Sequence, residues 1–137
     1  MSALSLHTRR ARLLAVRSDI DAGGGGALHL HGGTQASGPD VAAPDAPLVI
    51  VALEYPSFTL HSTDASMSLV PAQGFAALAG VVTWGRYVDG TGAAVYDCTA
   101  GPPGSEAELI VTDGATPPTA QVYSGGEVNI THTLTEP

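Results

Sequence analysis

Residues Leu78 to Gly101, LAGVVTWGRYVDGTGAAVYDCTAG, read as two β-strands joined by the tight turn Asp89-Gly90-Thr91-Gly92. Val81, Val82, Val88 and Val95, with Trp84, Tyr87 and Tyr96, are the β-branched and aromatic types that suit a pleated, half-buried surface. An Asp-Gly pair followed by a second glycine supplies the positive φ values a short hairpin connection needs. In the first strand Val82, Trp84 and Val88 share one parity and Val81, Thr83 and Tyr87 the other, so both faces need covering. This is the signature of an inner strand, and the rest of the chain is read as what surrounds it.

Working outward, Leu48-Val49-Ile50-Val51-Ala52-Leu53 is a nearly continuous apolar run of strand length, which predicts burial on both faces. Ser57–His61 and Ala65–Val70 read as short strands, and Pro71–Gly74 as a turn leading to the hairpin. Beyond the hairpin, Gly101-Pro102-Pro103-Gly104 breaks the chain, Ala107–Thr112 alternates as a strand, and Asp113–Pro118 is a loop before Gln121-Val122-Tyr123. The terminal segment is the cleanest: Val128, Ile130, His132 and Leu134 face one way, while Glu127, Asn129, Thr131, Thr133 and Thr135 face the other. About eight short strands with turn signals between them predict a mainly β fold, an antiparallel β-sandwich of jelly-roll type, with one N-terminal α-helix.

That helix is expected from a cap at Ser5 or Thr8 to about Asp21, with Leu6, Leu13, Val16 and Ile20 on one stripe. Arg9 and Arg10 lie near its N-terminal end and Asp19 and Asp21 near its C-terminal end, opposed to the helix dipole, so its stability must come from docking. The dock is either the domain's own acidic sheet or a neighbouring subunit. Gly23–Gly26 reads as a flexible joint, dividing the chain into a helical arm, 1–22, and a single β-sandwich domain, 23–137. Ala27–His31 follows as a short edge strand with His29 and His31 on one face. Two such histidines bind metal only if a third ligand converges, and solvation is the simpler reading. Thr34–Pro47 is small, polar and proline-rich, an exposed loop.

The 137 residues suit one domain, and the composition bounds its partners. Net charge is −8, lysine is absent, and the five cations are Arg9, Arg10, Arg12, Arg17 and Arg86. From Gly23 onward a single arginine faces eleven carboxylates, a surface that repels nucleic-acid phosphates. No apolar run has the length of a membrane span. Arg12 and Arg17 interrupt the N-terminal apolar segment, no cleavage site follows, and cytoplasmic synthesis is expected. Cys98 stands alone, which excludes an intrachain disulfide and a cysteine-based zinc cage. Serine, histidine and aspartate occur in no nucleophile elbow, so no enzyme, cofactor or metal is assigned from sequence. Asp89-Gly90-Thr91-Gly92 lacks the alternating acids of a calcium loop and is a turn.

The order of short signatures resembles a group of small prophage-encoded proteins from structural-gene neighbourhoods. The pieces are the helix, the glycine run, a strand ending Gly32-Gly33-Thr34, a strand closing at Pro56-Ser57-Phe58, Val82-Thr83-Trp84-Gly85-Arg86, Asp97 to Gly101, Gly104-Ser105-Glu106-Ala107-Glu108-Leu109, and the terminal Val128–Pro137 strand. The resemblance covers most of the chain, with Cys98 and Pro102-Pro103 as departures, and it carries no catalytic residues. It implies a virion structural protein of a tailed bacteriophage: a capsid decoration (cement) protein on the major capsid protein, or else a neck or tail component. Candidate subunit contacts are Arg9, Arg10, Arg12 and Arg17, reaching an acidic neighbour, and the uncharged face of Thr131, Thr133 and Thr135. A homo-oligomer follows, a trimer if it caps threefold positions, with attachment that weakens as salt rises. The rival reading is a carbohydrate-binding sandwich with Trp84, Tyr87 and Tyr96 as stacking platforms.

Overall fold

The computed structural model describes residues 3–112 and 119–136; the loop expected at Asp113–Pro118 lies outside them. One helix, α1 (Leu6–Asp21), precedes eleven strands among the described residues. They are β1 (Ala27–His31), β2 (Val49–Ala52), β3 (Phe58–Leu60), β4 (Ser66–Leu69), β5 (Ala72–Phe75), β6 (Gly80–Val81), β7 (Trp84–Val88), β8 (Ala94–Gly101), β9 (Leu109–Thr112), β10 (Gln121–Val122) and β11 (Glu127–Thr135). In place of two facing antiparallel sheets, the chain forms one curled, mixed sheet, a half-barrel, in the order β2-β1-β7-β8-β9-β11-β4-β3, with β5 also paired to β11. β6 and β10 form a small separate ladder.

The mixed character arises at β8 and β9, which run parallel through only two residue pairs, Ala100 with Leu109 and Gly101 with Ile110. Pro102 and Pro103 cannot donate to a ladder, so the chain leaves the sheet there, turns at Gly104 and comes back alongside the end of β8. Curling has its own local cause. β4 and β5 pair with successive parts of one side of β11, and Pro71 separates them. That delivers β5 to β2, where Val49 and Ala76 form a bridge and Ala77 N–H donates to Leu48 O at 2.8 Å. Gly74 makes the approach possible: a Cβ there would come within 3.1 Å of Val51 Cγ2 and 3.2 Å of Ile50 O. The segment read as a turn at Pro71–Gly74 is therefore largely strand, because pairing with β11 overrides its poor strand composition.

β7 is buried at all five residues, as the parity of the organising stretch requires. β1 is not an edge strand; it pairs with both β2 and β7 and buries His31. The largest departure is β2, expected to be buried on both faces. Val49 and Val51 are fully buried, but Ile50 is 56% exposed, because among the described residues nothing is layered over β2 on the outer side of the curl.

The helix is seated on this sheet. Ser5 caps it, accepting from Thr8 N–H at 3.1 Å, and Leu13 and Ile20 are buried while Leu6 stays exposed. Gly23, Gly24 and Gly25 take positive φ values and form a turn that only glycine enters without strain. Gly26 is wedged so tightly that a Cβ would meet the carbonyl oxygens of Ile20 and Val88 at 2.5 Å each. Gly90 N–H also donates to Ala22 O at 2.8 Å. The glycine run thus joins helix to hairpin instead of separating them.

Candidate functional site

The arginines expected to reach outward bind the chain's own carbonyls. Arg10 donates to His61 O at 2.8 Å, Arg17 to Phe58 O at 3.2 Å and Arg9 to Glu136 O at 3.5 Å. Arg12, still largely exposed, pairs with Glu136 at 2.9 Å. Asp21 accepts from Ser57 N–H, completing a row of polar contacts along the helix. Thr131, Thr133 and Thr135 do face outward on β11, with Thr133 Oγ1 3.3 Å from Ser68 Oγ. Glu136, the residue after Thr135, holds Arg9 and Arg12, and Ser68 links Thr133 to His61, whose carbonyl holds Arg10, so the arginines are engaged within the chain beside the threonine strand.

A different surface stands out. Ile50 on β2 and Phe75 on β5 lie opposite each other, one position beyond the Val49–Ala76 bridge, and both point away from the core. Leu78 follows on the same segment, and the turn carrying Tyr123 is tied to it by Gly125 N–H to Ala76 O and Ser124 Oγ to Ala77 O. Exposures of 56%, 63%, 48% and 62% for Ile50, Phe75, Leu78 and Tyr123 make this an uncovered apolar seam. Glu127, the register partner of Phe75, borders it. Ile50 and Phe75 each sit between buried neighbours, Val49 and Val51 for the first and Gly74 and Ala76 for the second, so their exposure follows from strand alternation once the two strands are placed.

The outer face of the hairpin is closed. Trp84 is 1% exposed, stacked on His31 at 4.4 Å between centroids, with the Arg86 guanidinium 5.4 Å from its ring. Arg86 holds Asp97 through two bonds of 2.8 and 2.9 Å and donates to Gly38 O and Val41 O, tying the Thr34–Pro47 loop over the stack. Burial, then the Arg86 charge, lowers the His29 pKa; burial and the neighbouring His29 charge lower that of His31. Trp84 and Tyr87, the latter fully buried, are thereby unavailable as carbohydrate platforms.

Inside the curl lies a polar group that sequence reading passed over. His132 on β11 is stacked on Tyr87 and lies edge-on to Phe58, its Nδ1 2.7 Å from the Tyr87 hydroxyl and its Nε2 3.3 Å from Glu108 Oε1. Tyr96 donates its hydroxyl to the same Glu108 oxygen. The His132 N–H, followed by the Tyr96 hydroxyl, keeps Glu108 below the usual carboxylate range despite partial burial. Glu108 is then an acceptor, so Nε2 carries the imidazole proton and the Tyr87 hydroxyl donates to Nδ1. Burial raises the pKa of Tyr87, and burial together with the Glu108 bond raises that of Tyr96. Cys98 is beside them; burial, then the Glu108 charge, holds it as a thiol, the reverse of an activated nucleophile. The donor atoms of Cys98, Glu108 and His132 all lie within 4.8 Å of one another. They are far apart in sequence and converge only because β8, β9 and β11 are adjacent.

No protein-family model, curated protein or solved structure matches the chain. Among the described residues no helix is long and apolar enough to cross a membrane.

Proposed function

We propose that the protein is a structural component of a tailed-phage virion, a capsid decoration protein that binds the assembled shell as a homo-oligomer, trimeric at threefold positions. The observation that carries this reading is the uncovered seam of Ile50, Phe75, Leu78 and Tyr123 on a chain with net charge −8. Four exposed apolar side chains on segments tied together through Ala76 and Ala77, with Glu127 paired to Phe75, fit a protein partner presenting an apolar surface with a basic rim. Many copies on a symmetric shell stabilise it by mass action, with no chemistry required. A neck or tail position uses the same surface and differs only in the partner.

The seam also changes the mode of attachment. With Arg9, Arg10 and Arg17 bound to the chain's own carbonyls, apolar burial and not the helix charge drives docking. The test is occupancy on purified particles. Burying the exposed part of Phe75 is worth roughly 1–2 kcal/mol, so Phe75→Glu, which must also desolvate a carboxylate, should weaken binding more than about tenfold. Occupancy of the natural chain should fall only modestly as salt rises, because the rim charges are screened while the apolar burial is not. Retained binding by a folded Phe75→Glu, Ile50→Glu double variant would remove the seam from the reading.

A further inference from the structure

We propose that Cys98, Glu108 and His132 form a binding site for one zinc-class divalent ion, with a solvent molecule as fourth ligand. The three side chains offer one sulfur, one oxygen and one nitrogen, the donor set that a borderline-soft, tetrahedral ion takes. All three donor atoms fall within 4.8 Å of one another. His132 Nε2 and Glu108 Oε1 are 3.3 Å apart. Bonds of about 2.0 Å to nitrogen and oxygen in a tetrahedron place such atoms about 3.3 Å apart. The spacing of that pair already matches; binding requires the Nε2 proton to leave and the sulfur to approach from within 4.8 Å.

The surroundings suit a site as well as the donors do. His132 and Cys98 are buried, whereas the Glu108 side chain is 34% exposed and leaves a path for the ion and its water. Tyr87 sits on His132 Nδ1 at 2.7 Å, the outer contact that orients a ligating imidazole. Tyr96 does the same for Glu108. The proton balance is simple. The ion takes the Cys98 sulfur as thiolate, releasing one proton to solvent. The His132 proton moves from Nε2 to Nδ1, where the Tyr87 oxygen turns from donor to acceptor. Cys98 lies on β8, His132 lies on β11 and Glu108 is the residue just before β9, so the ion would cross-link these three segments.

The probe is cobalt alone, added to the full chain after treatment with a chelator. The expected result is sulfur-to-cobalt charge-transfer absorption and tetrahedral visible bands that saturate at a single equivalent and are displaced by zinc. Cys98→Ser should abolish the charge-transfer band, and Tyr87→Phe should weaken binding by about 10–100-fold through loss of the orienting contact. Zinc should also protect Cys98 from a thiol reagent in mild denaturant, a readout that does not depend on how the variants fold. Absence of the charge-transfer band in the natural chain, its persistence in Cys98→Ser, or an unprotected Cys98 would each overturn the site.

Discussion

Breaking the Arg86–Asp97 pair is the sharpest test of how the hairpin is held. Arg86 Nε and a terminal nitrogen donate to the two Asp97 oxygens at 2.8 and 2.9 Å, and the side chains are only 8% and 4% exposed. Asp97→Leu leaves a buried guanidinium with only the carbonyls of Gly38 and Val41. Removing one partner of a buried pair costs about 3–5 kcal/mol, a large part of a typical total of about 5–15 kcal/mol. Unfolding entropy of about 2.1 cal/mol/K per residue gives about 0.3 kcal/mol/K for 137 residues. Thermal melts should therefore fall by about 10–17 °C. Arg86→Met should cost a similar amount and expose the Thr34–Pro47 loop to limited proteolysis, since that arginine tethers it. Joined in one chain, Asp97→Leu and Arg86→Met should be milder than Asp97→Leu alone, because no charge is then left unpaired. Single-variant shifts under about 2 °C, or a double variant no milder than the single, would refute the argument.

Other expectations concern the rest of the fold. Trp84→Ala, at a position 1% exposed, should cost about 3–5 kcal/mol by thermal melt, and preserved stability would show that the stack with His31 is dispensable. Deleting residues 1–22 should abolish cooperative unfolding, because Leu13 and Ile20 belong to the core; a sharp calorimetric transition in the truncated chain would restore the helix to a separable arm. The hydroxyl of Thr91, with the backbone N–H groups of Thr91 and Ala93, lowers the Asp89 pKa. Its contribution to stability is therefore present above the ordinary Asp value of about 3.9 and lost as pH falls through the lower folded value. Carboxyl-detected NMR titration should place Asp89 below that ordinary value, and an unshifted midpoint would contradict the turn geometry.

The parts legible in the sequence are those set by local pattern. The hairpin, a cap at Ser5 or Thr8, the helix span and the alternation of β11 depend on residues within a few positions of one another, and the structure has them, with Ser5 as the cap. What failed depended on which strands become neighbours. A run such as Leu48–Leu53 reads the same whether or not a second layer lies over it, so the exposure of Ile50 had no signal within the run itself. Pro71–Gly74 carries turn residues, yet β11 recruits Ala72–Phe75 as a strand. The glycine run was read as slack because glycine permits freedom. Of its close contacts at Gly26, the one that ties it to the hairpin comes from Val88, far away in sequence, beside those from Ile20. The inner cluster is the extreme case, since Cys98, Glu108 and His132 share no motif spacing and meet only after three strands align.

Burial is distributed unevenly over the sheet, and the difference separates stability from interaction. Around β7 both faces are closed: the inner by Tyr87, Phe58 and His132, the outer by Trp84, His31 and the loop pinned through Arg86. Arg86 with Asp97, and Tyr87 with His132, are hydrogen-bonded to one another there, so a change is felt as lost folding energy. At the β2–β5 seam only the inner face is closed, and the outer side chains, Ile50 and Phe75, contribute nothing to the core they back onto. Replacing them with charge leaves Val49, Val51 and Ala76 packed as before. Substitutions at Asp97 or Trp84 should thus move melting temperature and attachment together, through the folded fraction. Substitutions at Phe75 or Ile50 should move attachment alone, and that contrast distinguishes a docking surface from one more part of the core.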